Sequence, residues 1–268
     1  MSSDNSAGDP NGLAIVRDPT IYLVGKQVIA EGGMADFLRD HGLEWSPDTE
    51  IPAQLIAEAA GRVCYMSFGK GRGTNEDYLG NILASGHGSV LEHAVWNFII
   101  TGVSRTFTHE LVRHRAGFGY SQLSQRYVNE SKAEFIEPDA IAEDPESHAI
   151  WVAAIEEAQG AYRQLAKRLR KRFAHIESRT QCRKLARQAA RSVLPNATET
   201  KIFVTANARA LRHFIELRAS EHAEVEIRKA ATAILKILSE DAPNIFGDYR
   251  LETLDDGTRV ARTDHGKV

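Results

Sequence analysis

With 268 residues, a formal net charge of −3 and 43% hydrophobic residues, the chain has the composition of an ordinary globular protein of one large or two small domains. The pI near 6.4 argues against a dedicated nucleic-acid-binding protein, which usually carries a broad positive face. No apolar run approaches the roughly 20 residues that a membrane-spanning helix needs, which argues against a membrane protein.

Location and domain organisation follow from three further features. Residues 1–12 are polar and lack the basic and apolar regions of a secretory signal, so we expect a mobile tail on a cytoplasmic protein. Cys64 and Cys182 are far apart and in no CxxC pair, which argues against a disulfide framework or a cysteine zinc site. We expect residues 13–268 to form a single domain with a C-terminal hairpin extension.

The first elements are predicted from apolar periodicity and capping residues. Residues 21–29 are rich in β-branched side chains and predict a strand. Pro52 fits the first turn of a helix that runs to about Tyr65. Thr74 caps a short helix that ends near Gly86.

Residues 87–94 bring together four polar side chains that a metal site could use, namely His87, Ser89, Glu92 and His93. Their spacing differs from HExxH and no further ligand cluster is obvious, so a hydrogen-bonding turn is the preferred interpretation and no metal is expected. The alternating residues 95–103 then predict a strand that is buried on the face of Trp96.

The most informative stretch is RHRAGFGYSQLSQRY, residues 113–127. Ser104 caps the helix before it, and the spacing places Phe107, Leu111 and His114 on one helical face. Gly117 then begins a flexible loop. Two arginines around a histidine, followed by more hydrogen-bonding groups, suit an anionic, heteroatom-rich ligand better than a core.

The second half of the chain is predicted to be mainly helical. Residues 146–173 form a long amphipathic helix whose apolar stripe is core or subunit interface. A second helix from about Ser178 carries a basic stripe of Arg183, Arg187 and Arg191, and such a stripe is usually a solvated face.

A strand over 199–207 leads to Asn207, which caps a helix written ARALRHFIELRASEHAEVEI. On that helix Arg209 and His213 lie one turn apart and are placed to share a ligand, whereas Arg218 lies well round from His213. A last packed helix contains Ile227, Ala231, Ile234 and Leu238, and Asp256-Gly257 predicts a hairpin turn.

Four stretches together resemble the flavin-dependent thymidylate synthases: RHR at 113–115, SQLSQRY at 121–127, LPNATET at 194–200 and RASEHAEVEIR at 218–228. The similarity extends from about Ala53 to Asp256. The family motif has seven residues between the second arginine and the serine, whereas Ala116 to Leu123 makes eight here. The loop therefore carries one extra residue near Gly117–Gly119.

The resemblance implies an α+β protomer with a central, mostly antiparallel sheet flanked by long helices, assembled as a homotetramer with shared active sites. The residues that it implies for FAD are His87, Ser89, Glu92, Arg113, His114, Arg115, Gln122, Asn207, Arg209 and His213. Those that it implies for a uridine monophosphate are Glu110, Arg113, Gln122, Leu123, Ser124, Gln125, Arg126, Arg191 and Arg218. Arg218 would be the catalytic residue that activates the pyrimidine.

The implied reaction is reductive methylation of uracil at C5, with methylenetetrahydrofolate as carbon donor and NADPH as the reductant of FAD. Neither cysteine lies in a motif that suggests an activated thiol. The resemblance implies instead that a charged arginine stabilises the ionised ring. Ser124 has no evident neighbouring base and is interpreted as a binding residue.

The resemblance favours dUMP as the acceptor. The longer loop leaves UMP as the alternative acceptor, since relatives in nucleoside-antibiotic pathways methylate UMP. A site that hydrogen-bonds the ribose 2′-hydroxyl can discriminate strongly between UMP and dUMP. A flavoprotein without turnover and an RNA-modifying methyltransferase are further alternatives. The presence of Arg191 and Arg218 argues against a flavoprotein without turnover. The slightly acidic net charge argues against an RNA-modifying enzyme.

Overall fold

The computed structural model describes residues 12–69 and 71–268, so the predicted tail lies, except for Gly12, outside the described residues. In this part of the chain the strands are β1 (Ile15–Val16), β2 (Thr20–Lys26), β3 (Val95–Ser104), β4 (Phe118–Gln122), β5 (Phe135–Ile136), β6 (Glu199–Asn207), β7 (Arg250–Thr253) and β8 (Arg259–Arg262). The helices are α1 (Glu31–Asp40), α2 (Pro52–Tyr65), α3 (Asn75–Ser85), α4 (Arg105–Leu111), α5 (Asp139–Ala142), α6 (Pro145–Arg172), α7 (Arg179–Ala190), α8 (Ala208–Arg218), α9 (Val225–Asp241) and α10 (Pro243–Phe246).

The largest sheet has the strand order β2-β3-β6-β4. Strands β4 and β6 are antiparallel, because the Asn207 N–H donates to the Gly117 carbonyl (3.1 Å) while the Leu123 N–H donates to the Lys201 carbonyl (2.8 Å). Strands β7 and β8 form the predicted hairpin, with Asp256-Gly257 at its turn, and β1 pairs with β5 in parallel. The prediction of helices combined with an antiparallel sheet is confirmed.

The chain divides into two compact units, each built from separate segments. Unit A contains the described residues up to Thr20 together with Ile100–Val112 and Ser121–Ile202. Unit B contains Ile21–Ile99, Arg113–Tyr120 and Phe203–Val268. The single domain expected over 13–268 stays a prediction.

The core of unit A forms where the amphipathic helix α6 buries Val152 and Ile155. These side chains pack with Ile15 of β1 and Phe135 of β5. Of the apolar stripe predicted for residues 146–173, Ile155 and Tyr162 are buried in the core, and the remaining members are partly exposed, so the alternative of a subunit interface stays a prediction for them. Further along α6, Tyr162 is fully buried, and its hydroxyl accepts the backbone N–H of Glu130 at 3.2 Å.

The core of unit B is aromatic around Trp96, which is fully buried as β3 requires. Its ring meets Phe246 edge to face at 5.6 Å, and its indole N–H donates to the Asp241 carboxylate at 2.8 Å. All four residues of the predicted α9 stripe are buried, namely Ile227, Ala231, Ile234 and Leu238. The predicted packed helix is therefore confirmed, although the short helix α10 follows it and is also packed.

One buried face of α2 is polar rather than apolar. Glu58 is buried and accepts from the Arg62 guanidinium at 2.6 Å on one carboxylate oxygen and from the Asn75 amide at 2.7 Å on the other. Gln54 continues this network, because its side-chain oxygen accepts the backbone N–H of Asn244 at 3.0 Å. Buried charge is tolerated here since each group has partners.

Three predicted caps are confirmed: Thr74 accepts from Asp77, Ser104 from Phe107, and Asn207 from Ala210. Four predictions about the bounds or the type of an element are wrong. The first strand ends at Lys26 rather than at residue 29. Helix α4 ends at Leu111, so His114 lies outside its apolar face, and the predicted loop after Gly117 becomes strand β4. Helix α8 ends at Arg218, where the Ser220 hydroxyl donates to the Leu217 carbonyl, and α9 begins separately at Val225.

Candidate active site

A pocket of about 390 Å³ lies in unit B between the RHR segment and α8. It is lined by Arg113, His114, Arg115, Ala116, Phe118, Ala210, His213, Leu217 and Arg218. Two elements build it, since α8 places His213 and Arg218 on the side that meets Arg113 to Phe118. Although the helical wheel puts Arg218 well round from His213, both residues line this pocket because Arg218 is the last residue of the helix.

His114 is the buried titratable residue of the pocket lining, with 9% of its surface exposed. Its Nε2 atom accepts the Arg218 Nε–H at 3.1 Å, and its ring packs edge to face on Phe214 at 5.2 Å. Burial, reinforced by the charges of Arg218, His213 and Arg113, lowers the pKa of His114 to about 4. The imidazole is therefore neutral near pH 7, and because Nε2 accepts a hydrogen bond its proton is on Nδ1.

The backbone around His114 is held by two contacts that the sequence did not reveal. The Tyr120 hydroxyl donates to the His114 carbonyl at 2.7 Å, and burial raises the pKa of that phenol. Gly117 has a φ of +72°, and a Cβ there would lie 2.7 Å from the side chains of Ala210 and Asn207. The turn before β4 consequently packs directly on the N-terminus of α8.

Other residues predicted for FAD gather at the turn before β3, also in unit B. The Arg209 guanidinium pairs with the Glu92 carboxylate at 2.6 Å and donates from Nε to the Val268 carbonyl at 3.3 Å. His87 and Ser89 are exposed on the same turn. Arg209 therefore binds Glu92, whereas His213, one helical turn further on, lines the pocket. The prediction that these two share a ligand stays a prediction.

The residues predicted for the uridylate lie mostly in unit A. Gln122 donates from its amide to the hydroxyls of Thr108 (3.0 Å) and Thr200 (3.3 Å), which fixes the end of β4. The Ser124 carbonyl accepts the N–H groups of Tyr127 and Val128, each at 3.0 Å, so the SQLSQRY run turns immediately after the strand. Gln125 is buried, while Arg126 and Arg191 are half-buried.

A larger cavity of about 930 Å³ in unit A lies between α6 and α7. Seven of its lining residues are cationic: Arg163, Lys167, Arg170, Lys171, Arg179, Arg183 and Arg187. No carboxylate lines it. Two members of the predicted basic stripe on α7 therefore face a cavity, and the Arg187 guanidinium donates to the Tyr127 carbonyl there.

Across residues 12–69 and 71–268, no three His, Cys, Asp or Glu side chains are grouped closely enough to hold a metal ion. The described helices also include none that is long and apolar enough to cross a membrane.

Most of the chain is similar in sequence to known proteins. Residues 48–244 match the sequence model of the family described as thymidylate synthase complementing protein. The flavin-dependent thymidylate synthases of Mycobacteroides abscessus and Mycolicibacterium gilvum are each 50% identical over 238 residues, which cover 88% of this chain and 93% of the relative. That of Mycobacterium tuberculosis is 48% identical over the same length.

A solved structure with a similar fold is the UMP/dUMP methylase PolB from Streptomyces cacaoi bound with 5-Br UMP. The TM-score is 0.61, and the match covers 88% of this chain and 95% of that chain. At 21% sequence identity, this likeness shows the fold alone.

Proposed function

Since the chain belongs to the family of flavin-dependent thymidylate synthases, we propose that it carries out FAD-dependent reductive methylation of dUMP at C5 to give dTMP. Methylenetetrahydrofolate supplies the carbon and NADPH supplies the reducing equivalents. The observation that carries the proposal is the contact between Arg218 and a neutral His114 in a pocket lined by the RHR segment.

The residues of this pocket fit FAD by the chemistry of their donor groups. Arg113 and Arg115 offer guanidinium donors, and Phe118 offers an aromatic side chain beside them. A flavin nucleotide combines an anionic pyrophosphate with a flat heteroaromatic ring, so cations and aromatic surface are the groups that it requires. When bound and reduced, FAD supplies the hydride that turns a methylene group into a methyl group.

Arg218 is the proposed catalytic residue. A permanent positive charge beside N3 and O4 of uracil stabilises the ionised ring, which makes C5 more nucleophilic. Neutral His114 orients this charge by accepting the Arg218 Nε–H, and it does so without adding a second charge to the site. His114 is thus proposed as a positioning residue in addition to its expected contact with FAD.

Arg126 and Arg191, which are half-buried cations, are proposed to bind the phosphate of the nucleotide. Arginine matches phosphate oxygens with paired N–H donors, which gives these contacts direction as well as charge. Glu110, Gln122, Leu123, Ser124 and Gln125 complete the proposed uridylate set, while the FAD set retains Asn207 and His213 of unit B.

We further propose a homotetramer in which active sites are shared between subunits. The edge strand β2 supports assembly, because Tyr22 and Val24 are exposed along it and Val28 is exposed just beyond it. Light scattering on the purified protein measures the mass directly, and a monomeric mass at micromolar concentration would contradict this proposal.

UMP is the second candidate substrate, and the specific observation in its favour is the extra residue between Arg115 and Ser124. Ala116 is exposed in the turn before β4, so its deletion shortens the loop without removing a strand residue or Gly117. Ala116→Gly is the matched control, because it changes the residue but keeps the length. If shortening leaves the ratio of kcat/KM for UMP and dUMP unchanged, the loop does not set the preference.

The deciding experiment incubates the protein with FAD, NADPH and methylenetetrahydrofolate and either dUMP or UMP, with products read by mass. A gain of one methyl group on dUMP alone is the expected result. Comparable or preferred methylation of UMP would assign the protein to nucleoside modification instead. No methylation of either nucleotide by FAD-loaded protein would refute the proposed function.

A further inference from the structure

The cationic cavity of unit A, between α6 and α7, contains none of the residues proposed above for FAD or for the uridylate. Its volume of about 930 Å³ is in the range of small-molecule sites. Seven cations line it and no carboxylate does. Like charges that share a pocket repel one another, so a cavity of this kind is stabilised by an anion.

Six of these cations form two rows, and in each row successive members are four residues apart: Arg163, Lys167 and Lys171 on α6, and Arg179, Arg183 and Arg187 on α7. Residues four apart lie on one face of a helix, about 6 Å apart along its axis. The chain turns back over residues 173–178 and the two helices pack together, so the rows run antiparallel. The Cys182 thiol spans the two helices by donating to the Arg170 carbonyl at 3.5 Å.

Helix electrostatics does not account for these rows. Cations in the last turn of a helix are favourable, which covers Lys171 of α6. Arg179 is the first residue of α7, where a positive charge opposes the helix dipole, and Arg163 and Lys167 lie within α6. Like charges four residues apart also repel each other. The rows therefore cost stability, which points to a ligand that they bind.

One end of the cavity adjoins the run that follows β4. The Arg187 guanidinium donates to the Tyr127 carbonyl, and Asn129 is part of the lining. Tyr127 directly follows Arg126 of the proposed uridylate set. From this end the row on α7 leads away from that run, towards Arg179 at the start of the helix.

We propose that the two rows bind the γ-linked oligoglutamate tail of the folate co-substrate. This inference rests on the proposed function. The methylene group of methylenetetrahydrofolate has to lie next to C5 of uracil, whereas the glutamates are at the other end of the molecule. An oligoglutamate carries one carboxylate for each residue along an extended chain. Such a chain of repeated charges matches two rows of cations about 6 Å apart, and each guanidinium can pair with a carboxylate through two N–H groups.

The test measures equilibrium binding of monoglutamyl and pentaglutamyl tetrahydrofolate to protein loaded with FAD and dUMP. Tetrahydrofolate has no methylene group to donate, so no turnover occurs. The wild type is expected to bind the pentaglutamyl form at least tenfold more tightly than the monoglutamyl form. Lys167→Ala/Arg183→Ala is expected to lose most of this preference and to bind the monoglutamyl form and FAD as the wild type does.

The matched control is Arg168→Ala/Arg172→Ala, which removes the same number of positive charges from exposed positions of α6 outside the cavity lining. It is expected to keep the tenfold preference. An equal loss in both double variants would overturn the inference, because it indicates a general effect of net charge. If Lys167→Ala/Arg183→Ala does not fold, Lys167→Gln alone decides by the same ratio of affinities, since Lys167 is exposed.

A wild type without preference for the pentaglutamyl form would also overturn the inference. NADPH, the other polyanionic co-substrate, is measured in parallel. If Lys167→Ala/Arg183→Ala weakens NADPH and keeps the pentaglutamyl preference, the rows bind the phosphates of the dinucleotide and the inference is wrong. Failure of the proposed function is distinct, since the wild type would then methylate neither uridylate whatever its preference for glutamate number.

Discussion

Gly117→Ala is predicted to destabilise the protein far more than Gly119→Ala, although the two positions are only two residues apart. A Cβ at residue 117 would lie 2.7 Å from Ala210 and Asn207, in a backbone conformation with a φ of +72°. At residue 119 the nearest atom would be the Thr205 Cβ at 3.8 Å, which is an ordinary contact. The pair therefore separates a local clash from a general effect of adding a methyl group.

The expected magnitude follows from two independent contributions. A non-glycine residue in the left-handed region costs roughly 1–2 kcal/mol, and forced overpacking typically costs a further 1–3 kcal/mol or so. Displacing Asn207 would also weaken the cap of α8. We therefore expect Gly117→Ala to lose about 2–5 kcal/mol of unfolding free energy, whereas Gly119→Ala stays within about 0.5 kcal/mol of the wild type.

The assay is urea denaturation of both variants at one fixed protomer concentration, because binding between subunits adds to apparent stability. Flavin absorbance of the purified variants provides a second measurement, and FAD content is expected to fall only in Gly117→Ala because the displaced residues border the pocket. A difference of less than about 1 kcal/mol between the unfolding free energies of the two variants would refute this reasoning. Backbone strain and overpacking together would give a larger difference.

Three further predictions concern the pair of His114 and Arg218. Arg218→Ala is expected to retain FAD and to lose methylation by at least a hundredfold; loss of the flavin absorbance would instead make the residue architectural. His114→Gln, which keeps a neutral acceptor, is expected to retain more kcat than His114→Leu at equal FAD content, and equal kcat values would exclude a positioning role. His114 has a pKa near 6.5 in the unfolded chain and of about 4 in the folded chain. The free energy of unfolding therefore decreases as the pH falls through this window, by about 3 kcal/mol. His114→Gln should flatten that part of the urea midpoint profile, and an unchanged profile would contradict the depressed pKa.

Local chemistry made much of the fold predictable. Thr74, Ser104 and Asn207 were identified as caps because each is a short polar side chain directly before an apolar period, and each cap is present. Trp96 was placed correctly because buried and partly exposed residues alternate from Val95 to Gly102 of β3. Strand β4 was missed because Gly119 weakens its strand signal, and because its pairing with β6 depends on residues about 80 positions away.

The site was predictable in its residue types but not in its contacts. The sequence identified the RHR segment, yet it expected His114 on a helical face, whereas the histidine is buried beyond the end of α4. Its partner Arg218 is 104 residues away in the sequence. A hydrogen bond between residues so far apart in the chain leaves no periodic pattern from which it could be predicted.

The interleaved segments of the two units have a consequence for how the chain acquires its structure during synthesis. Unit A requires segments as far apart as Thr20 and Ile202, and unit B requires both Ile21 and the residues after Phe203. Neither unit corresponds to a continuous stretch, so neither can be produced as a simple truncation. During synthesis, the early segments of each unit therefore remain without their packing partners until the late segments have left the ribosome.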